Sequence, residues 1–196
     1  MALECTQAEA DRHDALTAKG WALTEGQLVL HGQEPSGRPG VFARWRLRRA
    51  LRCFTQALAI NAEGWSSMWA MGKIHQRLGA HAIAFEWFAR AHAINPEQPD
   101  VAREAGVAAL DAGLIKEALA LCRTAVANRP DDPGLICNLA LAHCLAGQDA
   151  EAERCAAEAA ERDPADAITA TVLSFVREVA SGARRRPRRL IEAFPA

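Results

Sequence analysis

Histidine and cysteine are the residues in this chain best suited to nucleophilic or metal chemistry, and their spacing argues against both. The six cysteines, Cys5, Cys53, Cys122, Cys137, Cys144 and Cys155, include no CxxC pair, the spacing by which one loop presents two thiolates to zinc. His143 beside Cys144, with Cys137 two turns earlier, comes nearest to a metal cluster. Packing accounts better for these residues, because free cysteine behaves as a small hydrophobe. The histidines are His13, His31, His75, His81, His92 and His143, and no serine or cysteine near them stands in a nucleophile motif. Gly32 and Gly37 have the GxxxxG spacing of a phosphate loop, but no lysine follows and no strand precedes. We expect no catalytic residue, no metal site and no cofactor.

The arginines form the other chemical group. Arg44, Arg46, Arg48, Arg49 and Arg52 crowd the stretch RWRLRRALR around Trp45. Such a cluster could neutralise phosphates while the indole stacks on a base, or it could be the solvated face of a helix. A net charge of −1 argues against nucleic acid as the main partner. A second basic run, Arg184 to Arg189, follows Gly182. Met1 to Asp14 is polar, unlike a secretory leader, and no apolar run is long enough to span a bilayer. Unpaired thiols then point to a reducing cytoplasm.

The elements that hold these residues repeat. Gly79, Gly113 and Gly147 are evenly spaced (113 − 79 = 147 − 113), and the same step separates Ala84, Ala118 and Ala152, then Ala91, Ala125 and Ala159, then Pro96, Pro130 and Pro164. Self-similarity at a period of about 34 residues means stacked helical hairpins, each unable to bury its apolar face alone. The pattern predicts helices at 65–78 and 81–94, 99–112 and 115–128, and 133–146 and 149–162. The glycines suit a left-handed conformation after a helix end, and Pro99 and Pro133 suit the first helical turn. Asn95 and Asp163, each before a proline, end their helices.

Upstream, an apolar stripe of Leu16, Leu23, Leu28 and Leu30 with Trp21 predicts a helix from about Leu3 to His31, weakened by Gly20 and Gly26. A glycine–proline loop at 32–40 and a helix at 41–60 follow. Ala50, Phe54 and Ala57 stand one period before Ala84, Phe88 and Ala91, so an opening repeat has its second helix. Downstream, Ile168, Val172, Phe175, Val176 and Val179 predict a capping helix at 166–181. The expected plan is one domain over 1–182: an irregular hairpin at 3–60, repeats at 65–98, 99–132 and 133–166, and the cap. Residues 183–196 read as a mobile basic tail.

Met68-x2-Met71-Gly72-x2-His75, followed by Ala84-x3-Phe88, Ala91 and Pro96, resembles the tetratricopeptide-repeat signature W-x2-L-G-x2-Y…A-x3-F…P. Later copies read Ala105-Gly106, Ala118, Cys122 and Pro130, then Ile136, Leu139-Ala140, His143, Ala152, Ala156 and Pro164. The resemblance runs from about Arg44 to Ser181, with histidine at 75 and 143 where the family has tyrosine. It implies an all-α, right-handed superhelix of stacked hairpins without enzymatic activity. In that family the first helix of each hairpin lines a groove that binds a peptide or partner helix. Carried over, the groove residues are Trp69, Lys73, Gln76 and Arg77, then Arg103, Glu104, Val107, Leu110 and Asp111. Cys137, Asn138, Leu141, Cys144 and Leu145 follow, with Thr171, Phe175 and Glu178 on the closing helix.

The lysine–asparagine–arginine set with which chaperone-binding members clamp a terminal carboxylate is missing from its positions. A groove basic at one end and apolar at the other suits an amphipathic helix, or an extended segment with apolar anchors and an acidic end. The apolar end could instead be covered by the chain's own tail or, in a homodimer, by a second copy. The resulting expectation is a cytoplasmic scaffold or adaptor, bacterial by its alanine- and arginine-rich composition. The alternatives are a secretion-type chaperone holding a cargo segment and a nucleic-acid-contacting regulator working through Arg44 to Arg52.

Overall fold

The structure, a computed structural model, describes residues 6–28 and 38–194. Among them are ten helices: α1 (Gln7–Thr24), α2 (Val41–Ile60), α3 (Trp65–Arg77), α4 (His81–Ile94), α5 (Pro99–Ala112), α6 (Ile115–Asn128), α7 (Pro133–Leu145), α8 (Asp149–Arg162), α9 (Ala167–Ala180) and α10 (Leu190–Ala193). Their contacts divide the chain into two compact units, Met1–Asn95 and Pro96–Ala196. In the first, α1 pairs with α2 and α3 with α4. In the second, α5 pairs with α6 and α7 with α8, while α9 packs on both α7 and α8.

Local chemistry sets the helix limits. Gln98, Asp132 and Asp166 cap α5, α7 and α9, each side chain accepting from a backbone N–H of the first turn, which satisfies donors a helix start leaves open. Pro99 and Pro133 take the first position, where no N–H is needed. Gly79, Gly113 and Gly147 have φ of 78°, 80° and 78°, so the left-handed turn expected at the end of each first helix is present. The second helices end alike: the N–H groups of Asn61, Asn95, Arg129 and Asp163 donate to the carbonyls of Ala57, Ala91, Ala125 and Ala159.

The hairpins close through a missing side chain. A Cβ on Gly72 would lie 2.6 Å from the ring of Phe88, and one on Gly106 would lie 2.9 Å from Cys122 Sγ. Gly20 stands in the same relation to Phe54, at 2.7 Å. Both phenylalanines are fully buried. The two periodic pairs have the same short separation (88 − 72 = 122 − 106), whereas Phe54 follows Gly20 by a full repeat step (54 − 20 = 113 − 79). The first hairpin is therefore the same unit with a longer turn. Gly20, which lowers the helix propensity of α1, is also what lets Phe54 pack.

α1 stops at Thr24, short of the predicted run to His31. Thr24 Oγ1 donates to the Trp21 carbonyl at 2.8 Å, and Gly26 turns the chain at φ 67°. Leu28 still packs with Leu47, Ala50, Phe54, Ala70, Met71 and Ile74. Cys5, Leu3, Leu30, His31 and the Gly32–Gly37 spacing lie outside the described residues.

Two ties in the second unit keep the period. Asn128 Nδ2 donates to the Pro96 carbonyl at 3.2 Å, and Arg162 Nη1 to the Pro130 carbonyl at 3.0 Å. Donor and acceptor both advance by one repeat step (162 − 128 = 130 − 96).

Replacing Gly72 with alanine should test the close approach. The gain in helix propensity is about 1 kcal/mol, but forcing a methyl against a buried ring costs about 1–3 kcal/mol. Urea unfolding should show net destabilisation for Gly72→Ala, whereas a stabilised variant would mean that Phe88 shifts freely.

Candidate functional site

In the first unit the residues carried over to the groove lie along α3. Trp21 of α1 sits against Trp69 at 6.0 Å between rings and meets Phe54 edge-on at 5.5 Å. Lys73, only 4% exposed, places its Nζ 5.9 Å from the Trp69 ring centre. Arg77 Nε donates to the Gln27 carbonyl at 3.1 Å. Trp69, Gln76 and Arg77 are half-buried. The end of α1 and the residues after it thus lie against this helix.

In the second unit the positions fall on α5, α7 and α9. Arg103 Nη2 donates to Glu104 Oε1 at 3.1 Å, and Arg103, Val107 and Asn138 are half-buried. Glu104 and Leu110 are buried, as are Cys137, Leu141, Cys144, Leu145 and Phe175, none of which is more than 8% exposed. As the chain stands, these seven side chains are not an open surface.

The tail crosses this region. Residues 183–194, expected to be mobile, make specific bonds. Arg184 pairs with Glu178 at 3.5 Å, and its guanidinium lies 5.0 Å over the Phe175 ring. Arg186 grips Asp149 with both terminal nitrogens, at 2.8 and 3.0 Å, and also donates to the Cys144 carbonyl. Arg189 runs past the end of α5, its Cγ 3.2 Å from where a Cβ on Gly113 would stand. α10 packs on α5, Ala193 is buried, and the Phe194 ring lies 5.1 Å from Phe175. The cause is chemical fit: a guanidinium fork matches a carboxylate, and the Cys144 carbonyl accepts it beside its turn bond from the Gly147 N–H at 3.1 Å.

The residues that pair with the tail's arginines are Asp149 and the carried-over Glu178. Sequence did hold a signal for Asp149. It occupies the register of His81 and Ile115 (149 − 115 = 115 − 81), and it alone of the three is acidic.

The remaining chemical candidates are engaged elsewhere. His143 Nδ1 lies 2.6 Å from Gln148 Oε1. Burial raises the thiol of Cys122 to about 12 and those of Cys137 and Cys144 to about 11, with Asp166 adding to the rise at Cys137. Among the described residues no group of three or more histidine, cysteine or carboxylate side chains is placed to hold a metal. On α2, Arg44 Nε donates to the Pro39 carbonyl, Arg46 Nη2 to the Ala22 carbonyl, and Arg49 lies 4.6 Å over Trp45. Arg48 and Arg52 are exposed, as are Val41, Phe42 and Trp45. Among the described residues no helix is long and apolar enough to cross a membrane.

This arrangement of helical hairpins is the fold of tetratricopeptide-repeat proteins. MamA from Desulfovibrio magneticus is similar at 18% identity and a TM-score of 0.71, over 88% of this chain and 89% of that one. YrrB, a tetratricopeptide-repeat protein with an unusual peptide-binding site, is similar at 18% identity and a TM-score of 0.68, over 95% of this chain and 88% of its own. A mutant O-GlcNAc transferase from Thermobaculum terrenum aligns at 16% identity and a TM-score of 0.60, over 80% of this chain but 27% of its own. The chain matches no protein-family model and no curated protein sequence.

Two measurements follow. The hydrogen bond from Arg186 lowers the Asp149 pKa below its ordinary 3.8. A depressed carboxylate contributes fully above its unperturbed pKa and loses its contribution as pH falls through the lowered value. The Phe194 ring resonances should therefore hold steady from pH 7 to about 5 and shift below about 4, and Asp149→Asn should flatten that profile. Cys122, Cys137 and Cys144 are protonated at neutral pH, so a thiol reagent at pH 8 should modify them far more slowly in the folded chain than in urea.

Proposed function

We propose that this chain is a non-catalytic interaction scaffold of the bacterial cytoplasm. It holds a peptide segment of another protein, extended or partly helical, against α5, α7, α9 and the start of α8. One observation carries the reading: this face already accommodates a stretch of polypeptide, non-helical up to Arg189 and ending in one helical turn. Residues 184–194 lie on it through a bidentate ion pair and an aromatic pair, interactions that suit capture of a side chain at each end of a segment. The peptide-binding site described for YrrB is further support, since the two share a fold.

The engagement of the chemistry-bearing residues also favours a scaffold. The buried thiols are held protonated, and His143 is occupied by Gln148. The unpaired cysteines suit a reducing compartment.

Selection from a displayed library of random peptides, with the full chain as bait, tests this directly. We expect enriched sequences whose binding slows hydrogen exchange in α5, α7 and α9. No enrichment over an unrelated helical protein would refute the reading. Protection confined to Arg44–Arg52 would transfer the function to α2, as would a gel shift with nucleic acid that depends on those arginines.

A further inference from the structure

We infer that residues 184–194 are a built-in competitor for the α5–α7–α9 face and display its recognition pattern. The face takes a segment of another protein carrying an arginine for Asp149 and, eight residues later (194 − 186), an aromatic side chain for Phe175. This rests on reading the face as peptide-binding, and adds the partner's chemistry and what stands in its way.

The tail is held by side-chain bonds and ring contact at its two ends, while Arg189 and α10 lie against α5 between them. Arg186 spans to Asp149 and to the Cys144 carbonyl; Ala193 is buried and Phe194 stacks on Phe175. Between these anchors Arg188 and Arg189 are exposed, and Leu190 and Ile191 only half-buried. A segment built into a core would bury most of its side chains, whereas here Ala193 alone is buried among residues 184–194. The tail's acid does not face the helices: Glu192 accepts from the Arg188 N–H and from Arg189 Nε, both at 3.0 Å. The interaction is therefore basic and aromatic on the tail side, and acidic and apolar on the face side, where Glu178 stands with Asp149.

The hold is also weak enough to be exchanged. The Arg186 and Asp149 side chains are 32% and 39% exposed, and Phe194 is 38% exposed. A half-solvated ion pair or a single ring pair each favours the bound tail by only about two- to tenfold. Attachment to the chain supplies a high effective concentration, so the tail outcompetes the tail of a second copy. It yields to a partner whose segment carries the same two anchors and makes additional contacts. Competition of this kind multiplies the partner's affinity by the fraction of chains in which the face is open.

The test uses the full chain and a fluorescein-labelled peptide of the sequence ARRRPRRLIEAF. Anisotropy titrations compare wild type with Arg186→Ala, Phe194→Ala and the double variant, each first checked for an unchanged unfolding midpoint. The double variant should bind the peptide about tenfold more tightly than wild type, and each single variant should fall between. Adding Asp149→Asn should abolish that gain, and a peptide with alanine at both anchor positions should not bind.

Equal affinity for wild type and the double variant would overturn the inference, as would a gain insensitive to Asp149→Asn. Concentration-dependent dimers of wild type that vanish in Arg186→Ala would assign the tail to a second copy and overturn it too. Library-selected peptides that bind the face equally well in wild type and the double variant would remove the competitor and leave the scaffold reading standing. Tight binding of the labelled peptide to the double variant, with no library peptide enriched, would keep the competitor and remove the scaffold.

Discussion

Two helices of a hairpin approach as closely as their bulkiest opposed side chains allow, and in this chain one side of the contact has been emptied. The Phe54 and Phe88 rings lie on the backbone at Gly20 and Gly72, where even a Cβ would be 2.7 or 2.6 Å away. The glycines cost helix propensity, and the buried rings offset it through the apolar area they remove from water, roughly 1.5–3 kcal/mol each. Once that separation is fixed, the other recurring features follow. The small residues Ala57, Ala91, Ala125 and Ala159 are buried, and their carbonyls take the N–H that ends each second helix. In the second unit the next hairpin reaches back with the same kind of bond, from Asn128 to Pro96 and from Arg162 to Pro130.

A frame specified this tightly leaves the non-recurring positions free to differ, and chemistry collects there. His81, Ile115 and Asp149 share one register at the start of a second helix. Only Asp149 can receive a guanidinium, and beside it the same arginine also reaches the Cys144 carbonyl in the last turn of α7. α7 is apolar around most of its circumference, with nine of its thirteen residues buried. Such a helix requires neighbours on more sides than a hairpin provides. α8 covers one side, α5, α6 and α9 cover others, and the tail closes over its end.

Periodic features are the ones legible from residue order. The boundaries of α4, α5, α6 and α8 agree with the spacing of glycine, alanine and proline, because those residue types act locally through caps, turns and close contacts. The Gly20–Phe54 contact escapes that logic, since the longer turn between them breaks the period while preserving the geometry. Local sequence also suggests that residues 183–196 have no structure of their own. It cannot reveal their partners, since Arg186 finds Asp149 at a separation of 37 residues that bears no relation to the repeat. Inheriting groove positions from a resemblance assumes an open groove. Leu141, Leu145 and Phe175 are instead covered.

That covering has a physical logic that differs from core formation. Pro187 interrupts any helix that would continue from Gly182, so the tail meets the face as non-helical chain up to Arg189, before the single turn of α10. Non-helical chain on a helical surface gains little from main-chain hydrogen bonds, and must be held by side chains with good geometry. Arg186 supplies such geometry because its fork satisfies both Asp149 oxygens and has a donor left for a helix carbonyl. Phe194 supplies the apolar counterpart, placing a ring near Phe175 whose other neighbour is the Arg184 guanidinium. Lysine at 186 would retain the charge but lose the fork. The tail's attachment therefore depends on shape as well as sign, and that dependence separates recognition from nonspecific attraction between a basic tail and an acidic surface.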